Sequence, residues 1–398
     1  MFAQIVLDSK KLLHSKPLMI AMLFLSLCLL IPAFDKQGVF EGNDVNHQFD
    51  IQLYRDRLSF LLSLKGTDYY NTRTAPQIAY WNQQIDALAD ILRANSSNDA
   101  AARITSIIRY ERFLLDEAEA GYNTETPPII LRQRIALLEA HLLLGIYNVY
   151  DTRFAEPAFN YAASVYSNMP TIVLMLPAII VYIELFSSEQ EGNSRSYESV
   201  VPLADMKIII THIIVSICFS IIVVLITFIP SFIYVSHKNG LGSLEYPYVY
   251  VVEGTISVSN LADYYVKAIM LLCACNALTG TTVAYLSRFY DSQLGNLAIC
   301  VFQLLIGVYT DLFFPNMPEA LCLYNPWRYY VTSKVIGYPY PRLNLAEQGF
   351  LKDFIKITSQ KTVSLPYYHV AILTTILLSI IMLVLTNTSI KIKRKRKY

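Results

Sequence analysis

The sequence predicts an all-α polytopic membrane protein, with six transmembrane helices and a large helical extracytoplasmic domain between the first and second. Three observations predict it. Six apolar runs approach or exceed the roughly 20 residues that cross a hydrocarbon core, Lys and Arg gather at both ends of the 398-residue chain, and residues 35–168 are polar, cysteine-free and apolar only at helical spacing. Composition agrees, since 54% of residues are hydrophobic and 16% charged, below the level of about 25% charged in soluble domains. A net charge of +1 says little about partners, and no nucleic acid is expected among them.

Taken in order, residues 1–16 are expected to form a cytoplasmic interfacial amphipathic helix, with Phe2, Ile5, Val6, Ser9, Leu12 and Leu13 on one face and lysines on the other. The first span, 17–34, ends in Ile31-Pro32-Ala33-Phe34-Asp35, which offers no small-x-small cleavage site, so it reads as a retained anchor rather than a signal peptide. Residues 35–168 carry a helix around Val45–Leu64 and three apolar stripes: Ile85 to Leu92, Ile104 to Leu115 and Leu131 to Ile146. Thr74 with Gln77, and Thr126 ahead of Pro127 and Pro128, are helix-start signals. Asn95–Asn98 and Gly121–Asn123 are breaks, giving about four helices in hairpins.

The remaining spans are expected at 169–186, 208–235, 264–286, 297–314 and 367–385. A cytoplasmic coupling loop or helix at 187–207 separates the second from the third. An outer segment at 315–366 holds re-entrant or short helices, and 386–398 is a basic cytoplasmic tail. Lys10, Lys11 and Lys16 at one end and Lys391 to Lys397 at the other put both termini in the cytoplasm of a multi-pass cell-membrane protein. Six spans satisfy that placement.

The segment between the second and third spans holds the densest pattern. Glu189 and Glu191 follow the membrane exit, then Gly192, then Tyr197, Val200 and Val201 able to share a helical face, then Pro202 and Lys207. A compact element tethered to two spans can convert a push from a soluble partner into motion of those spans. This stretch resembles the loop of the ABC-2 type transporter permeases, with Glu189 or Glu191 in the acidic place, Gly192 the glycine, Pro202 the proline and Lys207 the basic residue opening the third span. Asn193 stands where Thr is common in that family, and His212 where Lys is common. Phe314-Pro315-Asn316-Met317-Pro318 and Tyr324-Asn325-Pro326-Trp327 resemble its proline-marked outer segment, with Trp327, Tyr329 and Tyr330 suited to a headgroup-level belt. The likeness covers 1–34 and 169–398.

The resemblance implies a permease subunit, a half-transporter that pairs with a second copy or a homologous permease in membrane lipid. A separate ABC ATPase subunit would bind the ATP and Mg, with export of a peptide, lipid-like or amphipathic substrate. The chain itself has no G-x-x-x-x-G-K-[ST] sequence, no expected cofactor or metal, and no expected enzymatic activity outside such a complex. Coupling to the ATPase would fall on Glu189, Glu191, Gly192, Tyr197, Pro202 and Lys207. Abundant Ile, Lys and Tyr fit a bacterial source.

Asn276, Thr279, Gly280, Thr281 and Thr282 form a polar patch in the fourth span, read either as close helix packing with interhelical hydrogen bonds or as a cargo-lining surface. Glu184, His212, Asp263, Lys267 and Asp311 lie near span ends, where snorkelling or pairing accommodates charge, and Asp263 with Lys267 has the spacing for mutual pairing. His47 and His141 are isolated, and Cys273-x-Cys275 is no metal or redox spacing. A membrane-anchored sensor or scaffold, whose outer helices bind a ligand without transport, is the alternative reading. A secondary transporter would need inverted repeats, and a membrane enzyme a catalytic constellation; neither is seen.

Overall fold

Two helices meeting at a sharp bend begin the chain. In the computed structural model, α1 (Phe2–Leu13) and α2 (Lys16–Asp35) join at His14 and Ser15 with their axes 61° apart. The structure describes residues 2–35, 44–73, 75–97, 99–121, 128–147, 149, 157–168, 171–186, 205–252, 255–287, 293–308, 324–330, 335–336 and 368–395.

Four long helices follow: α3 (Asp44–Leu64), α5 (Ala75–Ser96), α6 (Ala100–Glu119) and α7 (Pro128–Leu144), with the single turn α4 (Asp68–Asn71) between the first two. Each packs on the next in sequence. Leu88 and Ile91 of α5 are fully buried against Tyr54, Leu61 and Tyr110, while Ile104 and Ile108 of α6 meet Ile135 and Leu138 of α7. The apolar stripes read from the sequence are the faces that pack. Asp99 caps α6 by accepting from the Ala102 amide at 3.0 Å, and Gly121 follows the end of that helix at φ +85°. Between α6 and α7, Arg132 pairs with Glu119 and Arg134 with the buried Glu111, each at 2.6 Å. Thr74, Thr126 and Pro127, expected at helix starts, and the break residues Asn98, Tyr122 and Asn123 lie outside the described residues.

The second part is a membrane body. It comprises α2, α8 (Ala158–Asn168), α9 (Thr171–Phe186), α10 (Asp205–Asn239), α11 (Leu261–Leu286), α12 (Gln293–Val308) and α13 (Tyr368–Lys395) around one apolar core. Among the described residues three helices are long and apolar enough to cross a membrane, α10, α11 and α13, and the bent α1–α2 pair makes a fourth if it counts as one span. The expectation of six spans is corrected to that number. Helices α9 and α12 have 16 residues each, short of the roughly 20 required. Residues 169, 170 and 309–314, which the expected spans included, are outside the described set.

Helix α8 bears on the boundary of the outer domain. It falls in the stretch assigned from sequence to the outer domain, yet Tyr161, Ala163, Val165 and Tyr166 are in the core with the spans. The Tyr161 hydroxyl donates to the Leu29 carbonyl of α2 at 2.6 Å. The amides of Ala158 and Phe159 donate to the Gly240 and Leu241 carbonyls just past α10, at 3.0 and 3.1 Å. Asn160, Ser164 and Ser167 interrupt the apolar pattern, which hid the helix in the sequence.

The all-α expectation also needs correction. β1 (Pro247–Val252) and β2 (Thr255–Asn260) form an antiparallel hairpin between α10 and α11, pairing Val249 with Val258 and Val252 with Thr255. Its signal is legible in Tyr248-Val249-Tyr250-Val251-Val252 and Thr255-Ile256-Ser257-Val258-Ser259, separated by Glu253-Gly254. The Asn260 side chain then accepts from the Asp263 amide at 2.9 Å and starts α11. Both strands pack against α7, so the hairpin joins the helical domain to the membrane body.

Candidate functional site

At the bend between α1 and α2, polar side chains from three helices and from the bend itself converge. Gln4, Asp8 and Leu12 recur at i, i+4 and i+8, and this is the buried face of α1. Phe2, Val6 and Leu13, on the apolar face expected of an interfacial helix, are exposed on the protein surface, while Leu12, expected on that same face, is buried. A helix lying in a membrane interface satisfies both facts, with its apolar side toward lipid and its narrower polar side toward protein. Asp8 Oδ1 accepts from Gln4 Nε2 at 2.9 Å, and Asp8 Oδ2 accepts from His212 Nδ1 on α10 at 2.8 Å. Both partners of the second bond are buried, so neither is exchanged for water without cost. One turn past Leu12, the Ser15 hydroxyl donates to Glu184 Oε1 on α9 at 3.0 Å. The Phe186 ring packs edge-on against His212 at 5.5 Å.

This arrangement clasps α1 to the ends of α9 and α10, the two helices that residues 187–204 connect. Glu189, Glu191, Gly192, Tyr197 and Pro202 lie in that connection, outside the described residues. Lys207 is described: it is exposed in the first turn of α10, and its carbonyl accepts from the Thr211 hydroxyl at 2.7 Å. Pairing accommodates the span-end charges described: Glu184 with Ser15, His212 with Asp8, and Asp263 with Lys267 at 2.5 Å. Asp311 and His47 lie in segments whose side chains are not described.

Deeper in the body, the patch expected in the fourth span is a buried seam on α11. Asn276 Nδ2 donates to the Ser220 hydroxyl of α10 at 2.9 Å, and the Asn276 carbonyl accepts from the Tyr182 hydroxyl of α9 at 2.5 Å. Thr279 shares a 2.7 Å hydrogen bond with the Tyr330 hydroxyl and also donates to the Cys275 carbonyl. Thr281 and Thr282 bond back to carbonyls of their own helix. Gly280 has no room for a side chain, because a Cβ there would stand 2.4 Å from Cε1 of Tyr182. The five residues thus contact three other elements through small volume and hydrogen bonds.

Tyr330 ends a short 3₁₀ turn, Pro326–Tyr330, in which Arg328, Tyr329 and Tyr330 are buried. That differs from the headgroup belt expected of Tyr329 and Tyr330. Thr279 is 18 residues into α11, or about 27 Å along it, so the turn reaches well into the body. Sequence reasoning named neither Asp8, Ser15, Tyr182 nor Tyr330 as site residues. Asp8 alone had a signal, as the acidic residue of an otherwise basic leader. Among the described residues no group of three or more His, Cys, Asp or Glu side chains could hold a metal.

A third cluster sits at the hairpin. His141, near the end of α7, is fully buried, packs edge-on against Tyr246 at 4.8 Å, and donates from Nδ1 to the Ile146 carbonyl at 2.7 Å. Burial pulls its imidazole from 6.5 down to about 4, against the opposing influence of the Ile146 bond. His141 is therefore a packing residue, neutral at pH 7. Tyr248 adds a T-shaped contact to Tyr264 and donates to the Ile336 carbonyl.

The fold and its polar clusters define a mostly helical membrane protein with a helical domain outside the spans. No family model, curated protein or solved structure matches this chain.

Proposed function

We propose that the chain is the permease subunit of an ABC-2 type exporter, with both termini cytoplasmic, working beside a second permease and driven by a separate ATPase subunit. Its substrate is a peptide or another amphipathic molecule. One observation carries the reading beyond the sequence resemblance: the buried Asp8–His212 pair and the part-buried Ser15–Glu184 bond tie the amphipathic helix α1 to the ends of α9 and α10. A push on residues 187–204 by a soluble partner would then move α1, α9 and α10 together, as mechanical coupling requires. The helical domain on α7 and the hairpin would take part in cargo handling or partner engagement.

The test is to search the neighbouring reading frames for a P-loop ATPase and to co-express any such subunit with this chain. The complex should copurify and hydrolyse ATP in a vanadate-sensitive manner. Glu191→Ala and Gly192→Val should insert normally and leave ATP turnover in place while transport drops roughly tenfold, within the ~1–3 kcal/mol typical of coupling between sites. Failure to copurify with any ATPase, or transport by both variants at the wild-type rate, rejects the proposal.

A further inference from the structure

We infer that the C-terminal end of α7 is a foot seated in lipid, with Leu143, Leu144 and Tyr147 in the membrane interface at the hairpin end of the body. The inference needs only the membrane-spanning helices and is independent of the exporter reading.

The backbone shows how the foot is built. The Ile146 amide donates to the His141 carbonyl at 3.1 Å and the Gly145 amide to the Leu142 carbonyl at 3.3 Å, with Gly145 at φ +65°. These two bonds and the left-handed glycine are the Schellman arrangement that stops a helix sharply. The turn sends Ile146 into the apolar core of the membrane body and fixes His141 against Tyr246. Leu143 and Leu144 stay outside it, 87% and 51% exposed, with Tyr147 40% exposed beyond the turn. Two leucines and a tyrosine held this open at the end of a pinned helix are unfavourable in water, at about 25 cal/mol per Å² of apolar surface.

Their depth follows from what the pinning residues touch. Tyr246 accepts from the Leu261 amide, the first residue of α11, at 3.1 Å, and Leu244 accepts from the Ala262 amide at 3.0 Å. His237, Lys238 and Asn239 end the apolar run of α10, and the Asp263–Lys267 ion pair opens α11, so both helices pass from apolar to polar at this level. Exposed Val266, Ile269 and Met270 begin the lipid-facing stripe of α11 just inside it. Leu241, Leu244 and Val258 are exposed at the same boundary. The apolar end of α7 thus continues the lipid-facing surface of the spans into the headgroup layer, where Leu and Tyr are favoured.

The experiment uses the full chain in phosphatidylcholine vesicles, with the photoreactive residue p-benzoylphenylalanine replacing Leu143, Leu144 or Tyr147 one at a time. Irradiation should give lipid adducts, read by mass spectrometry, in severalfold higher yield than the same residue at Ile129. Ile129 is on the same helix, is also exposed, and lies about 21 Å away along the axis. Adduct yields no higher than at Ile129, or cross-links between two copies of the chain in place of lipid, would overturn the inference. Leu143→Glu combined with Leu144→Glu should lower the lipid yield at position 147 severalfold; an unchanged yield counts equally against the foot.

Discussion

Gly280 is the position where a single atom decides the packing. The Tyr182 ring that would meet a Cβ at 2.4 Å is held in place by its hydroxyl, which donates to the Asn276 carbonyl four residues earlier on α11. Alanine in a helix is ordinarily favoured over glycine by about 1 kcal/mol. Here overpacking, at roughly 1–3 kcal/mol, should outweigh that gain, because the ring cannot retreat without breaking its bond. Gly280→Ala is therefore expected to lower the melting temperature of the detergent-purified protein. In a Tyr182→Ala background the same change should be neutral or stabilising, a non-additive pair readable by a double-mutant cycle. Additive effects would show that the two residues are independent. The sequence made half of this visible: Asn276 to Thr282 is a run of small and polar residues in an apolar span, the mark of close helix approach. Tyr182, 94 residues away, carries no local sign that it fills the groove.

Helix α7 and the hairpin show the same division at the level of elements. Periodicity located α5, α6 and α7, because each buries one stripe against its sequence neighbour and the signal lies within the segment. The hairpin has an equally local signal in its β-branched and aromatic residues around Glu253-Gly254, which the all-α expectation does not include. The junction between α7 and the hairpin was not legible, since His141 looks like any isolated histidine until Tyr246 is placed against it. That junction has a pH dependence. Above pH 6.5 neither folded nor unfolded His141 binds a proton and the junction keeps its full stability. As pH falls from 6.5 toward the folded value of about 4, the unfolded chain takes up the proton first and stability declines. Below that the loss levels off, at up to about 3 kcal/mol. Melting curves between pH 7 and 4 should show this slope, and His141→Asn, which keeps a donor for the Ile146 carbonyl, should remove much of it. A variant with the wild-type slope would assign the pH dependence elsewhere.

For the whole molecule, composition and the apolar runs sufficed to announce a membrane protein, while the number of spans and the boundary of the helical domain depended on contacts distant in sequence. The boundary is open to a direct test, because the two chain segments leading into and out of the domain start close together. Tyr161 of α8 bonds to Leu29 of α2. Asp35 is then about 9 Å further along α2, and Pro157 about 6 Å before Tyr161, so an eight-residue Gly/Ser linker, reaching up to about 28 Å, can replace residues 36–156. That variant keeps α8, with its Tyr161 bond and its amides on the Gly240 and Leu241 carbonyls, and loses the α7 cover over Tyr246. It should insert and elute as a single species, with a lowered melting temperature from the uncovered hairpin. Extending the excision to residue 167 removes Tyr161, Val165 and Tyr166 from the core as well. Truncating one buried large aromatic already costs roughly 3–5 kcal/mol, so the longer deletion should aggregate or fail to accumulate. Equal behaviour of the two variants would mean that α8 belongs with the helical domain and that its contacts with α2, α10 and α11 do not hold the membrane body together.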